Sequence, residues 1–487
     1  MHDLEISEKQ EIDFKRKRTV GKLRQFLATV CLGPISLGAS LSWTSPVLPQ
    51  LLEQDSSTNF TYNSTNASTN SHIFDNSSAT FKLTIDEGSW IGSMLAIGVL
   101  AAAIPSGYLA GRFGLKKSTI ALVIPNLLFT IIVLFANNAY VLCVARFLSG
   151  VATGGISVVG PMYLSEIADV SLRGTLGTFF EFLIYAGVVF VAICGAYVSY
   201  TTLTIILGVV ALFFGIIFFF LPESPAYLIK INKREKAEAA LNFYRSECYN
   251  VENALDEIYE RVHKKTDEKV NIFVEMRSKA VIRGLIASTG LTIFQQLSGI
   301  DGVTFYTVYI FQAADTQLNE YTSAIILSSV QLLSAVVVIV VIEKAGRKVF
   351  LYISASGTCV CLAALAMYFH FKLSGITFFG MGVIPLASTM VYACAFSAGL
   401  GPVPWMVNGE LFAPAVKGIA NGITITSNWV CLFIITKTLP IMMEEVGPHI
   451  TFYFYSACML LCLVFIKFCV PETRGKSLEQ IQNELRS

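Results

Sequence analysis

Apolar residues in this chain run in long unbroken stretches rather than alternating with polar ones. The stretches fall near 25–50, 89–110, 118–136, 140–163, 174–196, 200–221, 285–310, 321–342, 349–370, 376–407, 418–439 and 449–469. Each is close to or beyond the ~20 residues that a helix needs to cross a bilayer, so the pattern predicts an all-α polytopic membrane protein with twelve transmembrane helices. Two polar interruptions are much longer than the others. The first, 53–85, is rich in Asn and Ser; the second, 222–280, is highly charged and separates six spans from six. Within the second, INKREKAEAALNFYRS carries strong helix formers with apolar residues at helical spacing, which predicts a short helical linker.

The expected organisation is therefore an N-terminal segment 1–24, a six-helix bundle 25–221 with its polar loop 53–85, a helical linker 222–280, a second six-helix bundle 281–470 and a tail 471–487. The halves also repeat short signatures in the same order. GRFGLKK after span two is answered by EKAGRKV after span eight, and LPESP after span six by VPETR after span twelve. Glu166 precedes Arg173 by the same seven residues that separate Glu410 from Lys417. Repeats of this kind predict two similar bundles related by an axis along the membrane normal, able to rock about a central site.

Composition strengthens the membrane reading: 54% of the residues are hydrophobic and only 14% charged. The distribution of bases orients the chain. Lys15, Arg16, Lys17, Arg18, Lys22 and Arg24 precede span one, and Arg112, Lys116, Lys117, Arg347 and Lys348 fall on the same side, so both termini are expected in the cytoplasm of a multi-pass cell-membrane protein. The basic start is read as a topology signal and not as an arm for nucleic acid. The loop 53–85 lies on the opposite side and holds four Asn-x-Ser/Thr acceptors for glycans, at Asn59, Asn63, Asn66 and Asn76. The cysteines fall mainly inside spans without disulfide or metal-ligand spacing, and are read as packing residues. No phosphate-binding loop, hydrolytic triad or metal motif is visible, so neither an enzyme nor a cofactor is expected.

Polar side chains inside the spans carry the chemistry. Span seven reads GLTIFQQLSGIDGVTFYTVYIF and places Gln295, Gln296, Ser298 and Asp301 in apolar surroundings, with Gly290, Gly299 and Gly302 loosening the helix. Adjacent amides cannot face one way in a regular helix, so one of the two glutamines is expected toward solute and the other toward a neighbouring helix. Amides present donors and an acceptor to sugar hydroxyls without the desolvation cost of a full charge. In span ten, GLGPVPWMVNGELF, Pro402 and Pro404 disrupt the helix and leave Trp405 at the bend, where its face can stack on a sugar ring. Glu181 in span five and Asp301 are intramembrane acids and functional candidates on that ground alone. Span one offers Ser40, Ser42, Thr44 and Ser45 but no acid. Acids and bases at the cytoplasmic ends can pair between helices and form contacts that break when that mouth opens.

Taken together, these residues resemble the sugar porter family of the major facilitator superfamily, and within it the insect facilitated trehalose transporters and animal facilitative glucose carriers. The resemblance runs from about Gly21 to Glu479 and rests on GRFGLKK, the Arg146 of CVARFLSG, PMYLSEIADVSLRG, LPESPAYL, FQQLSGIDGVTFYT, EKAGRK, GPVPWMVNGELF, SNW at Ser427 to Trp429 and VPETRGKSLEQI. It implies the major facilitator fold, a small neutral sugar as partner, and a cavity lined by Gln295, Gln296, Trp405, Asn428 and Gln331. It also implies a cytoplasmic gating network that includes Glu166, Arg173, Glu410 and Arg474, to which the echoed motifs add Arg112, Glu343, Arg347, Lys417 and Glu472.

Some positions depart from the family pattern. The family commonly has Gln where Glu181 stands and Asn where Asp301 stands, so both acids join the substrate-binding candidates. The first loop signature lacks its usual acid at Gly111 and its Arg at Leu115, whereas the second keeps an acid as Glu343. Proton-coupled members resembling this chain carry an Asp in span one, which is missing here. Facilitated diffusion of trehalose or hexoses is thus the expected function. A proton-coupled sugar or polyol carrier is the alternative that Glu181 and Asp301 keep open, and a nontransporting sugar receptor is the alternative of another class.

Overall fold

The computed structural model describes residues 19–52, 82–169, 172–245, 251–264, 275–316, 318–341, 346–474, 476 and 478–486. Among these, eleven helices are long and apolar enough to cross a membrane: Thr19–Leu51, Ile85–Phe113, Leu115–Leu134, Ala139–Ile167, Gly174–Tyr197, Tyr200–Phe219, Glu320–Val338, Arg347–Leu373, Met381–Leu411, Val416–Glu445 and Pro448–Cys469. The remaining crossing is span seven, which is divided into Lys279–Leu297, Ile300–Phe305 and Thr307–Ala314. It breaks first at Gly299, whose φ of 82° is open to glycine at little cost, and again at Tyr306. With it the chain has the twelve helices of the major facilitator fold.

Local sequence sets several of the helix starts. Thr84 and Glu87 form a reciprocal capping box, each accepting from the other's backbone N–H, so span two begins at Ile85 and not within the apolar run that opens at 89. Asn138 caps span four, Ser199 span six and Ser278 span seven in the same manner. Glycines then allow the closest helix pairs. A Cβ on Gly98 in span two would lie 2.1 Å from the Phe147 carbonyl of span four, and one on Gly38 in span one 1.9 Å from the Ile184 carbonyl of span five. Without a hydrophobic drive between helices in lipid, this backbone approach supplies much of the packing.

The two ends of the bundle differ. At the loop end, residues 53–81 join spans one and two; the four glycan acceptors lie in that segment, outside the described residues. At the linker end, helices Pro225–Lys230, Arg234–Arg245 and Val251–Lys264 enclose a small core of Leu228, Ile229, Ala237, Leu241 and Leu255. Tyr244 of this linker meets the Tyr163 hydroxyl at 2.8 Å, while Gln25 and Arg24 donate to the Tyr244 and Phe243 carbonyls at 2.8 and 3.0 Å. The tail helix Leu478–Arg486 docks similarly under the second half, where Arg283 donates to the Leu485 carbonyl at 3.1 Å.

Candidate functional site

A small cavity lies between spans five, seven, eight and ten, lined by Val188, Thr304, Thr307, Ser328, Gln331 and Tyr392 among others. Thr304 and Thr307 come to it from the two segments of span seven that follow its first break. The Tyr392 hydroxyl donates to the Ser298 carbonyl at 2.9 Å, taking up an acceptor that the break at Gly299 leaves without its helical donor. Tyr392, Thr304 and Ser328 were not singled out from the sequence, since single hydroxyls in apolar spans carry no distinguishing pattern.

The two glutamines diverge as adjacent helical residues must. Gln295 turns toward spans ten and eleven. Its amide nitrogen donates to the carbonyls of Leu400 and Gly401 at 2.8 and 2.9 Å, and its oxygen accepts from Asn428 at 3.1 Å. Both Gln295 and Asn428 are buried, and here they hold protein rather than presenting free donors to solute. Gln296 instead hydrogen-bonds Asp301. Its Oε1, buried like the rest of the side chain, has no hydrogen-bond partner.

Glu181 lies seven residues, two helical turns, before the cavity-lining Val188 and so shares its face of span five. The residue is exposed. Tyr185, one turn on, is within electrostatic reach of both Glu181 and Asp301. Trp405, in the helix Val403–Leu411 that follows the bend of span ten, is 39% exposed.

The hydrogen bonds and ion pairs seen between the halves among the described residues sit at the loop end. Lys437 of span eleven donates to Asp86 at 2.5 Å and to Ser89 at 2.7 Å in span two, and its ammonium lies 4.5 Å from the Trp90 ring centre. The backbone N–H of Val308 donates to Ser45 at 3.4 Å, and Gln50 meets Tyr321. At the linker end the glycines Gly174, Gly177, Gly409, Gly418 and Gly422 have nothing within 4 Å of where a side chain would begin.

The residues expected in a gating network make contacts within each half. Arg347 pairs with Glu410 at 3.1 Å, and Lys417 donates to the Gly409 carbonyl at 2.6 Å. Glu472 accepts from the backbone N–H groups of Arg347 and Lys348 at 3.0 and 3.1 Å. Burial pushes its carboxyl up, but the backbone N–H groups of Arg474, Lys348, Arg347 and Thr473 outweigh that and hold it below the usual range. This contact is therefore intact at neutral pH and is lost as the pH falls through that lowered value.

Glu223 repeats the arrangement in the first half, accepting from the Lys116 N–H at 2.8 Å, and Glu166 accepts from the Ser224 hydroxyl. Arg112 donates to the Tyr108 hydroxyl at 3.5 Å and lies 5.6 Å from the Phe113 ring centre, and Arg474 is exposed. The Arg173 backbone begins span five, while its side chain and all of Glu343 lie outside the described residues.

Arg146 is wholly buried in span four. It donates to the Ser40 carbonyl at 2.9 Å, to the Thr44 hydroxyl at 3.1 Å and to the Ile91 carbonyl at 3.4 Å, and lies over Trp43 at 5.2 Å. Its partners are dipoles, with no carboxylate among the described residues at ion-pair distance.

The profile of the family described as Sugar (and other) transporter matches residues 43–485. The facilitated trehalose transporter Tret1 of Polypedilum vanderplanki is 33% identical over 407 residues, covering 83% of this chain and 81% of that protein. Tret1 of Apis mellifera ligustica is 31% identical over 463 residues, covering 94% and 87%. Among solved structures, the inward-open xylose transporter XylE from E. coli superimposes with a TM-score of 0.75 at 21% identity, covering 94% of this chain and 98% of XylE.

Proposed function

The chain belongs to the sugar transporter family, and from that membership we propose that it carries trehalose and hexoses across the cell membrane by facilitated, alternating access. The observation that carries the mechanism is a one-sided seal: among the described residues, the hydrogen bonds and the ion pair between the halves gather at the loop end. We assign the linker end and both termini to the cytoplasm, because the bases cluster there and the glycan acceptors lie in the opposite loop. The state described is then inward-facing.

Transport without proton coupling is supported by Arg146, whose partners are a hydroxyl and carbonyls, groups that do not change protonation state near neutral pH. The acids Glu181 and Asp301 favour a second, proton-linked reading. Counterflow of labelled glucose and trehalose into sealed proteoliposomes separates the two. Exchange that equilibrates irrespective of an imposed proton gradient is expected; accumulation driven by that gradient refutes the facilitative assignment, and no exchange of either sugar refutes the carrier itself.

Within the site, the unpartnered Oε1 of Gln296 supplies an acceptor for a sugar hydroxyl. One such bond is worth about 1 kcal/mol, so Gln296→Ala is expected to raise the KM for transport about five- to tenfold at unchanged surface abundance. Wild-type uptake kinetics in this variant rule out the assigned contact.

A further inference from the structure

Two of the chain's five histidines face each other at the loop end of the second half. His370 stands one turn before the end of span nine at Leu373, and His449 is the second residue of span twelve, which begins at Pro448. Their ring centres lie 5.7 Å apart with the planes at 74°. Tyr453, one turn after His449, closes one side, its ring centre 6.5 Å from that of His370. Gly447 makes room for the pair: its φ of 95° turns the chain into span twelve, and a Cβ there would lie 3.0 Å from Cε1 and Nδ1 of His449. Both rings reach the surface, with His370 exposed and His449 partly so. The hydrogen bond from the Ser374 hydroxyl to His370, at 2.9 Å, uses the backbone carbonyl. Among the described residues no carboxylate stands at ion-pair distance from either ring.

We infer that His370 and His449 together bind a divalent first-row metal ion, zinc or copper, from the surrounding solution. A neutral imidazole offers one nitrogen lone pair, and that donor suits both metals. Zinc about 2.0–2.1 Å from one nitrogen of each ring, at a near-tetrahedral angle, sets two imidazole centres about 5–6 Å apart, and the observed separation of 5.7 Å falls within that span. The last side-chain torsion of a histidine is broad, so exposed rings turn their nitrogens toward one ion at little cost. No third His, Cys, Asp or Glu completes the set among the described residues, so water takes the remaining positions. Structural zinc has four protein ligands; a site with two is exchangeable and follows the metal content of the medium. Bound metal ties the loop end of span nine to that of span twelve within a single half, and the effect therefore shows as stability of that half.

The test uses purified full-length protein without a histidine tag, titrated with zinc against a chromogenic chelator, alongside His370→Ala and His449→Ala. Removing even an outer hydrogen-bond partner of a metal ligand weakens binding ten- to hundredfold, so loss of either imidazole is expected to weaken zinc binding about a hundredfold. The melting temperature of wild type should rise with added zinc and that of each variant should not, while magnesium and calcium, which prefer oxygen ligands, leave all three unchanged. Both rings lie at the surface, and metal-free melting shows that each variant is folded; the variant that folds carries the test if the other does not. Copper gives an independent readout, an electron paramagnetic resonance spectrum with two coupled imidazole nitrogens in wild type and one in either variant. Zinc affinity in wild type equal to that in the variants overturns the inference, because cysteines or the other histidines then hold the ion. A copper spectrum that the substitutions leave unaltered overturns it as well.

Discussion

Replacing Gln295 with Leu is expected to destabilise the sugar-free protein and to cut transport by a factor of about 100 or more. The reason lies in span ten. A helix would give the Leu400 carbonyl the N–H of the residue four positions on, and that residue is Pro404, which has none. Gln295 supplies the missing donor from span seven and serves the Gly401 carbonyl with the same amide nitrogen. Its oxygen meanwhile satisfies Asn428 in span eleven, so one side chain joins three helices at the bend. Leu fills the volume but leaves these polar atoms without partners, at a cost of about 1–3 kcal/mol for each buried group. Interhelical contacts in membranes average nearer ~0.6 kcal/mol. That average describes side chains that find other partners, whereas the Leu400 carbonyl is denied its own by Pro404. The measurement is thermal unfolding of purified, unliganded protein alongside counterflow. If Gln295 only touched solute, the sugar-free melting temperature would not move, and an unmoved value refutes the strut role.

Gln295 also shows where sequence reading stops. That Gln295 and Gln296 must face different ways follows from helical geometry alone, and the structure sends one to a neighbouring helix and the other toward Asp301. Which of them takes which direction depends on how span seven is rotated, and that is set by packing against spans ten and eleven, more than a hundred residues away. The prolines of span ten were legible as a disruption. Their dependence on a donor from another span was not, because the freed carbonyl is a backbone atom and leaves no mark in the residue types. Trp405, read as a stacking platform, is exposed and is not among the residues that line the small cavity.

The helices themselves were legible because apolar length is a local property. Edges moved where local polar chemistry competes with hydropathy, as at Thr84 and Glu87, whose capping box draws the acidic first turn of span two into the helix. The repeated LPESP and VPETR motifs translate into a shared geometry: Glu223 and Glu472 each accept the N–H groups that open spans three and nine. The echo was visible in letters, but its use of backbone partners was not, and Glu223 was accordingly passed over. Lys437 was missed more completely. In the sequence it is one of few bases on the loop side, and its partner Asp86 stands 351 residues earlier.

Lys437 carries the second large effect, since it is the ion-paired contact described between the halves. Replacing it with Met keeps the apolar stem and removes the ammonium, and with it the bonds to Asp86 and Ser89 and the contact with Trp90. Asp86 is well exposed, so the ion pair itself is worth no more than about 1 kcal/mol. The cation over the indole adds about 0.5–1 kcal/mol, and the hydrogen bond to the buried Ser89 a similar amount. A combined loss of roughly 2 kcal/mol shifts a two-state balance about thirtyfold toward the conformation in which the loop end is open. Neither half needs to unfold, because both partners lie on the surface of intact helices, so stability is expected to change little while the population moves. Spin labels placed at the loop ends of spans two and eleven report the separation directly. Wild type should give one short distance and Lys437→Met a second, longer one. Asp86→Asn should reproduce part of the shift, and combining the two should add little to Lys437→Met, as for a single shared contact. A distance distribution identical to wild type in Lys437→Met means that the seal is held by packing alone, through Tyr306 against Gly92 and Ser45 against Val308.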